Sequence, residues 1–143
     1  MSSQQSSLFL THSFTPQHRY ARSVNLERDL ARSEAIAGYI LTPRAFEALI
    51  RIFQALKHPK NQRAWMITGV YGIGKSAFAQ FLAVLCGPKS TTLYGQARAI
   101  LDRACQEQEE NWPEIEEILP KKSLFRAIAT GQAEPLRWTV IRA

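Results

Sequence analysis

Residues 63–85 read "RAWMITGVYGIGKSAFAQFLAVL" and contain three parts in a fixed order. The first part, Arg63–Thr68, is short, apolar and bounded by turn formers, which is typical of a strand buried on both faces. A glycine-rich loop follows it. After the loop, apolar residues recur at the spacing of an amphipathic helix, at Phe78, Phe81, Leu82 and Leu85. The stretch therefore predicts a strand, a loop and a helix in succession.

The glycine loop, residues 69–76, has one glycine, four free residues and then Gly-Lys-Ser. We expect Gly69 to reverse the chain, and we expect Gly72 and Gly74 to leave room for phosphate oxygens to approach the backbone amides. The helix that begins near Lys75 adds the positive end of its dipole. An ordinary glycine turn would also match so short a pattern, but the predicted strand before it and helix after it favour phosphate binding.

Each residue type in this loop has an expected chemical role toward a nucleotide. Lys75 is expected to reach the terminal phosphates, and the Ser76 hydroxyl is expected to bind the magnesium ion that bridges them. Ser76 is therefore the predicted metal ligand. The predicted nucleotide-binding residues are Gly69, Val70, Tyr71, Gly72, Ile73, Gly74, Lys75 and Ser76.

The quoted stretch resembles the Walker A region of P-loop ATPases, in particular the AAA+ and STAND groups of the bacterial type. The resemblance covers about residues 39–86, because "YILTPRAFEALIRIFQAL" at 39–56 is similar to the segment that precedes the Walker A strand in those ATPases. It implies an α/β fold of three layers, in which a few parallel strands are flanked by helices. It also implies ATP and Mg²⁺ as ligands, with Tyr39–Leu41 near the base. Core packing of Ile40 and Leu41 is an equal alternative.

The absence of an Asn-Lys-x-Asp sequence, which marks guanine recognition in the resembled ATPases, favours adenine as the base. Hydrolysis would need more than the loop: an acidic residue at the end of a second buried strand and a group that orients the attacking water. The nearest match to such a strand is "ARAILD", which ends at Asp102 but continues a helical stripe. The sequence therefore predicts no catalytic residue.

The remaining elements are predicted from capping residues and apolar spacing. Thr42 and Pro43 predict the start of a helix, which carries an apolar stripe and ends near Pro59. The stripe consists of Phe46, Leu49, Ile50, Phe53 and Leu56. A weak helical pattern occurs at 25–39, an amphipathic helix is predicted at 93–104, and a short helix is predicted at 124–128. The acidic stretch 107–117 is expected to be a surface turn, and 136–141 is expected to be a strand.

Two parts of the chain are predicted from these elements. Residues 1–18 are rich in Ser, Gln and Thr and are expected to be a flexible arm. Residues 19–143 are expected to be a P-loop NTPase domain. In the resembled ATPases the acidic strand follows one like "LRWTVIRA" at 136–143, so the domain is expected to be truncated at its C-terminal side. A missing C-terminal segment or a second chain would then complete the sheet.

Charge and composition set the expected partners and compartment. The net charge is +6, and residues 1–75 carry ten Lys and Arg against four Asp and Glu, which leaves open either a nucleic-acid partner or a solvated basic arm. No apolar run is long enough to span a bilayer, and no basic segment precedes the apolar patch at 8–10, so a cytoplasmic protein without a membrane partner is expected. An organelle transit peptide is the alternative reading of the N-terminus.

Three hypotheses for the function follow from the sequence. The first is ATP binding by a nucleotide-binding module, the N-terminal portion of an AAA+ or STAND-like ATPase. The second is a small phosphotransferase or ATPase in which Asp102, or a glutamate between Glu107 and Glu117, holds the metal. The third is a basic nucleic-acid-binding module whose glycine loop is structural.

Overall fold

The computed structural model describes residues 24–58, 60–61, 63–108 and 112–129, together with Arg137 and Ile141. Its helices are, in chain order, α1 (Leu26–Asp29), α2 (Pro43–Lys57), α3 (Lys75–Leu85), α4 (Thr92–Glu107) and α5 (Trp112–Ile118). No strand occurs in these ranges. The predicted α/β fold of three layers is therefore wrong, because the part of the chain that the structure describes is helical.

Helix α2 begins as its capping residues predict. The Thr42 hydroxyl oxygen accepts a hydrogen bond from the amide of Ala45 at 3.4 Å, and Pro43 occupies the first helical position. The buried side of the helix differs slightly from the predicted stripe. Leu56, in the last turn of the helix, is 36% exposed although its position on the helix is on the buried side. The buried residues are Phe46, Leu49, Ile52, Phe53 and Ala55.

Helix α3 lies against α4 and α1, and α2 packs against α5. The largest fully buried side chains in the described residues include aromatic and aliphatic groups from α2, α3 and α4, among them Phe53, Phe81, Leu49 and Leu101. The Tyr39 ring stacks on Phe81, with ring centroids 4.9 Å apart. Leu41 is buried in the same core, whereas Ile40 is 77% exposed. Tyr39 and Leu41 therefore pack against the protein interior.

Helix α4 contains residues 97–102, the nearest match in the sequence to a magnesium-binding strand. Thr91 caps it, since the threonine hydroxyl accepts from the amide of Tyr94 at 3.2 Å. Ala97, Leu101 and Ala104 face the core, as their helical spacing predicts. Asp102 lies inside this helix, which excludes a strand that ends at that residue.

The acidic stretch was predicted to be a turn, but it contains helix α5. The helix is anchored because Ile115 and the following Leu119 are buried. Ion pairs then link its acidic face to two other helices. Glu116 pairs with Arg98 of α4, and the Glu117 carboxylate lies 3.6 Å from the ammonium of Lys57 in α2. Exposed pairs of this kind contribute little energy, so the buried apolar residues decide the position of α5.

Two further helix predictions are wrong in whole or in part. The pattern at 25–39 gives only the short α1, capped by Asn25, followed by turns up to Gly38, which has a φ of 68°. Residues 123–129 form neither helix nor strand, and Phe125 is 95% exposed.

The predicted arm at 1–18 lies outside the described residues, and so does the predicted strand at 136–141 except for Arg137 and Ile141. No helix in the described ranges is long and apolar enough to cross a membrane.

The segment after α5 is attached to the C-terminal end of α3. The amide of Leu124 donates to the carbonyl oxygen of Cys86 at 2.8 Å, and the Arg126 guanidinium donates to that of Ala83 at 3.0 Å. A cation at this position also offsets the negative end of the helix dipole. Gly87 makes room for the contact, because a β-carbon there would lie 2.7 Å from Arg126 Nη1. Burial raises the pKa of the neighbouring Cys86 thiol to about 11, and Arg126 partly opposes that rise.

Replacing Gly87 with alanine is expected to displace Arg126 and to lower the free energy of unfolding by about 1 kcal/mol, the typical net value of one hydrogen bond. Urea titration followed by circular dichroism measures this loss. In an Arg126→Ala background the same glycine substitution should cost less, because the displaced group is already gone. Equal costs in both backgrounds would show that the two residues do not interact.

Candidate phosphate-binding loop

The glycine loop connects residues 63–68 to the N-terminus of α3, but the residues before it are not a buried strand. Trp65, Met66 and Ile67 are 45%, 87% and 44% exposed. A buried strand needs a neighbouring strand for its backbone hydrogen bonds and cover on both faces. Residues 63–68 have no strand conformation, and no strand that could pair with them occurs in the described ranges. The prediction of a buried strand at Arg63–Thr68 is therefore wrong, although the loop itself forms a sharp turn.

Three glycines in the loop have backbone conformations that other residues rarely adopt. Gly69, Gly72 and Gly74 have φ values of 152°, 86° and 88°. A β-carbon at Gly72 or Gly74 would meet no atom within 4 Å, so the space beside these two residues is open. A β-carbon at Gly69 would lie 2.2 Å from Cδ1 of Ile73, because the isoleucine side chain folds back over this glycine.

The side chain of Lys75 turns back over the loop. Its ammonium donates hydrogen bonds to the carbonyl oxygens of Gly69 at 3.0 Å and Val70 at 2.8 Å. These bonds bring the first residue of α3 onto the first two residues of the loop. The loop therefore curls around a positive charge that belongs to the same segment.

Helix α3 begins at the end of the loop with free backbone donors. Gly74 is the N-cap and has no side chain to bond the first amides, and the first bond of the helix runs from the amide of Phe78 to the carbonyl of Gly74 at 2.9 Å. The amides of Ser76 and Ala77 have no acceptor among the described residues. Unpaired amides and the helix dipole together make this end of α3 attractive to an anion.

The structure brings all eight predicted nucleotide-binding residues, Gly69–Ser76, into one continuous turn that is open to solvent. Tyr71 at its tip is 92% exposed and Val70 is 72% exposed. The Ser76 hydroxyl group lies on the exposed first turn of α3. A ligand can therefore reach the loop without displacing any part of the core.

The acids that were considered as alternative metal ligands have other surroundings. Asp102 is half-buried within α4, and its Oδ1 atom is buried without a hydrogen-bond partner among the described residues. Glu116 and Glu117 are engaged by Arg98 and Lys57. In the ranges that the structure describes, no group of three or more His, Cys, Asp or Glu side chains lies together as a metal site.

Two contacts of the loop are not predicted by the sequence pattern. The pattern leaves residues 70–73 free, so it does not foresee that Ile73 packs on Gly69. It also gives Lys75 a role toward phosphate only, and not toward the carbonyl oxygens of its own loop.

Comparisons of the chain with protein families, curated proteins and solved structures find no match.

Proposed function

We propose that this protein binds ATP as its magnesium complex through the glycine loop, residues 69–76. The proposal includes the class suggested by the Walker A resemblance: the chain acts as the N-terminal portion of an AAA+ or STAND-like P-loop ATPase in the cytoplasm. In that setting, further polypeptide covers the exposed apolar side chains of Trp65, Met66 and Ile67.

The observation that carries the proposal is the convergence of three kinds of donor at one turn. The ammonium of Lys75 lies over the loop, the amides of Ser76 and Ala77 are unpaired, and both are held at the positive end of α3. Phosphate groups are bound by this combination of backbone amides, helix dipole and lysine. The open space beside Gly72 and Gly74 leaves room for phosphate oxygens to approach.

The charge along the chain also favours an anion at this place. No Asp or Glu occurs between Glu47 and Asp102, whereas seven Lys and Arg residues do. The glycine loop lies in the middle of this stretch. The local sequence therefore supplies no carboxylate that would repel a phosphate group, and a bound Mg²⁺ would take most of its ligands from phosphate oxygens and water.

Calorimetric titration tests the proposal with three ligands. Mg-ATP and Mg-pyrophosphate should both bind and compete with each other, because the loop contacts phosphate groups. Adenosine alone should bind much more weakly. Tight binding of adenosine together with no binding of pyrophosphate would reject the glycine loop as the binding site.

Replacing Ser76 with alanine is expected to reduce the magnesium dependence of ATP binding. The change deletes one metal ligand and leaves the backbone amides in place. Titration of ATP with and without Mg²⁺ measures the effect, and Ser90→Ala in the exposed connection after α3 is the matched control. An unchanged response of the Ser76 variant to magnesium would show that this hydroxyl does not bind the metal.

The proposal assigns binding, and not turnover, to the chain alone. Phosphoryl transfer depends on positioned groups for the metal and the attacking water, and Asp102 is not placed at a strand end where such an acid is expected. We therefore expect negligible phosphate release by the purified protein. Steady release that is abolished by Lys75→Ala and by Asp102→Asn would favour the alternative of a small phosphotransferase or ATPase.

A second candidate function, single-strand nucleic-acid binding, is favoured by one observation. The exposed run at 63–71 carries Arg63, Trp65 and Tyr71, and exposed aromatic rings beside cations are a common platform for stacked bases. Binding of a labelled oligonucleotide should then weaken as salt is raised. It should survive Lys75→Ala but weaken in Trp65→Ala. Loss of binding in the lysine variant alone would assign the oligonucleotide phosphates to the glycine loop instead.

A further inference from the structure

The segment that the Walker A resemblance implies for the base, Tyr39–Leu41, packs mostly against the protein interior. Leu41 is buried, and the Tyr39 ring stacks on Phe81 with ring centroids 4.9 Å apart. Phe81 lies six residues after the start of α3, which is about 9 Å along the helix axis from the glycine loop. Two of the three implied base contacts are therefore taken up by the core, and only Ile40 is exposed.

The glycine loop has an aromatic ring of its own. Tyr71 lies at the tip of the turn, is 92% exposed and directly precedes Gly72, beside which the space is open. Exposed aromatic rings bind bases by stacking, because every base has a π face. We infer that the base of the bound nucleotide stacks on the ring of Tyr71. This inference rests on the proposed function and adds to it the residue that contacts the base.

The other exposed aromatic rings in the described residues are less suited to this role. Trp65 is only 45% exposed and lies four residues before the loop begins. Phe125 is 95% exposed, but its segment is attached to the C-terminal end of α3. A helix of 11 residues is about 16 Å long, so this ring lies far from the unpaired amides at the other end. Tyr71 combines high exposure with a place inside the loop itself.

The chemistry of a tyrosine ring fits a base contact beside a phosphate site. The side chain has only two rotatable bonds, so its ordering against a ligand costs little conformational entropy. Stacking covers the exposed ring with a flat apolar surface and needs no carboxylate, which would repel the phosphate groups. The backbone amides of the loop and the ring of Tyr71 can therefore bind the two ends of one nucleotide.

Calorimetric titration with two ligands tests the stacked base. Mg-ATP carries a base, whereas Mg-tripolyphosphate has the same phosphate chain without one. Tyr71→Ala should weaken the binding of Mg-ATP by about 5- to 100-fold, the usual effect of removing an aromatic partner from a stacked base. The same variant should bind Mg-tripolyphosphate as the wild type does, because the loop amides remain. Tyr71→Phe keeps the ring and should bind Mg-ATP within about twofold of the wild type.

Ile40→Ala is the control for the alternative base site, because it truncates the exposed residue of Tyr39–Leu41. It should leave the Kd of both ligands unchanged. Weaker Mg-ATP binding in Ile40→Ala, together with an unchanged Kd in Tyr71→Ala, would place the base at the alternative site and overturn the inference. As a second measurement, nuclear Overhauser effects between the Tyr71 ring protons and the adenine protons are expected in the complex. Their absence at saturating Mg-ATP would also overturn it.

The pair of ligands separates this inference from the proposed function. If the wild type binds both ligands and Tyr71→Ala weakens neither, the loop is a nucleotide site but its tyrosine does not contact the base. If Tyr71→Ala weakens both ligands equally, the ring acts on the shape of the loop, and the stacked base is likewise wrong. If the wild type binds neither ligand, the proposed function is wrong and this inference is wrong with it.

Discussion

Replacing Lys75 with alanine is expected to weaken the binding of Mg-ATP by about 10- to 100-fold. The substitution removes a charge-assisted hydrogen bond to a phosphate oxygen, and bonds to charged groups contribute about 1.5 to 3 kcal/mol each. It also uncovers the two carbonyl oxygens that the ammonium holds. Titration calorimetry with the wild type and the variant measures the change in Kd.

Lys89→Ala provides the matched control for this experiment, because it removes another lysine near the other end of α3 and should leave the Kd unchanged. The unfolding midpoint of Lys75→Ala in urea should stay close to that of the wild type, since the lysine lies at the surface end of the helix. Identical ATP titration curves for the wild type and Lys75→Ala would reject the glycine loop as the nucleotide site.

Replacing Phe81 with alanine is expected to lower the free energy of unfolding by about 3 to 5 kcal/mol. Phe81 is fully buried at the centre of α3, and its ring stacks on Tyr39. The truncation leaves a cavity and removes the stacking partner. For a domain whose total stability is typically about 5 to 15 kcal/mol, such a loss brings the variant close to unfolding at room temperature.

Phe125→Ala is the control of the same residue type, because its ring is 95% exposed. Its unfolding free energy should stay within about 0.5 kcal/mol of the wild-type value, as for most surface substitutions. Guanidinium titration followed by circular dichroism measures both variants. Equal losses for the two phenylalanines would show that Phe81 is not in the core that we describe.

Helices α2, α3 and α4 could be predicted from the sequence because their signals are local. A cap such as Thr42 or a repeat such as that of Phe78 and Phe81 lies within one helix and needs no partner to be recognised. Helix α5 was not predicted, because the stretch 107–117 is mostly charged. Of the three apolar side chains that pack it against the core, Ile115, Ile118 and Leu119, only Ile115 lies within the predicted turn at 107–117, so their helical spacing is not visible in that stretch.

The predicted strand failed for the opposite reason. The composition of Arg63–Thr68 is suited to a buried strand, but a strand exists only when a second segment pairs with it. Such pairing depends on residues distant in sequence, and none of the described residues supplies it. Once the strand is absent, its apolar side chains are left at the surface, as Met66 shows most clearly.

Part of the candidate site followed from the sequence and part did not. The positive φ values of Gly72 and Gly74 could be expected, because glycine is the residue that adopts them freely. The bonds from Lys75 to its own loop could not, since they depend on how the chain curls in three dimensions. The attachment of Arg126 to the end of α3 joins residues 43 positions apart and has no local signal.

The exposure of the glycine loop has a consequence for protein engineering. Because Val70, Tyr71 and Ile73 contribute nothing to the buried core, these three positions can be randomised while the helices continue to fold, and Gly72 is kept because of its positive φ. A library at these three positions would therefore report on ligand selection with little interference from misfolded clones. Selection on immobilised ATP would then rank sequences by affinity, and the scaffold would remain a constant background.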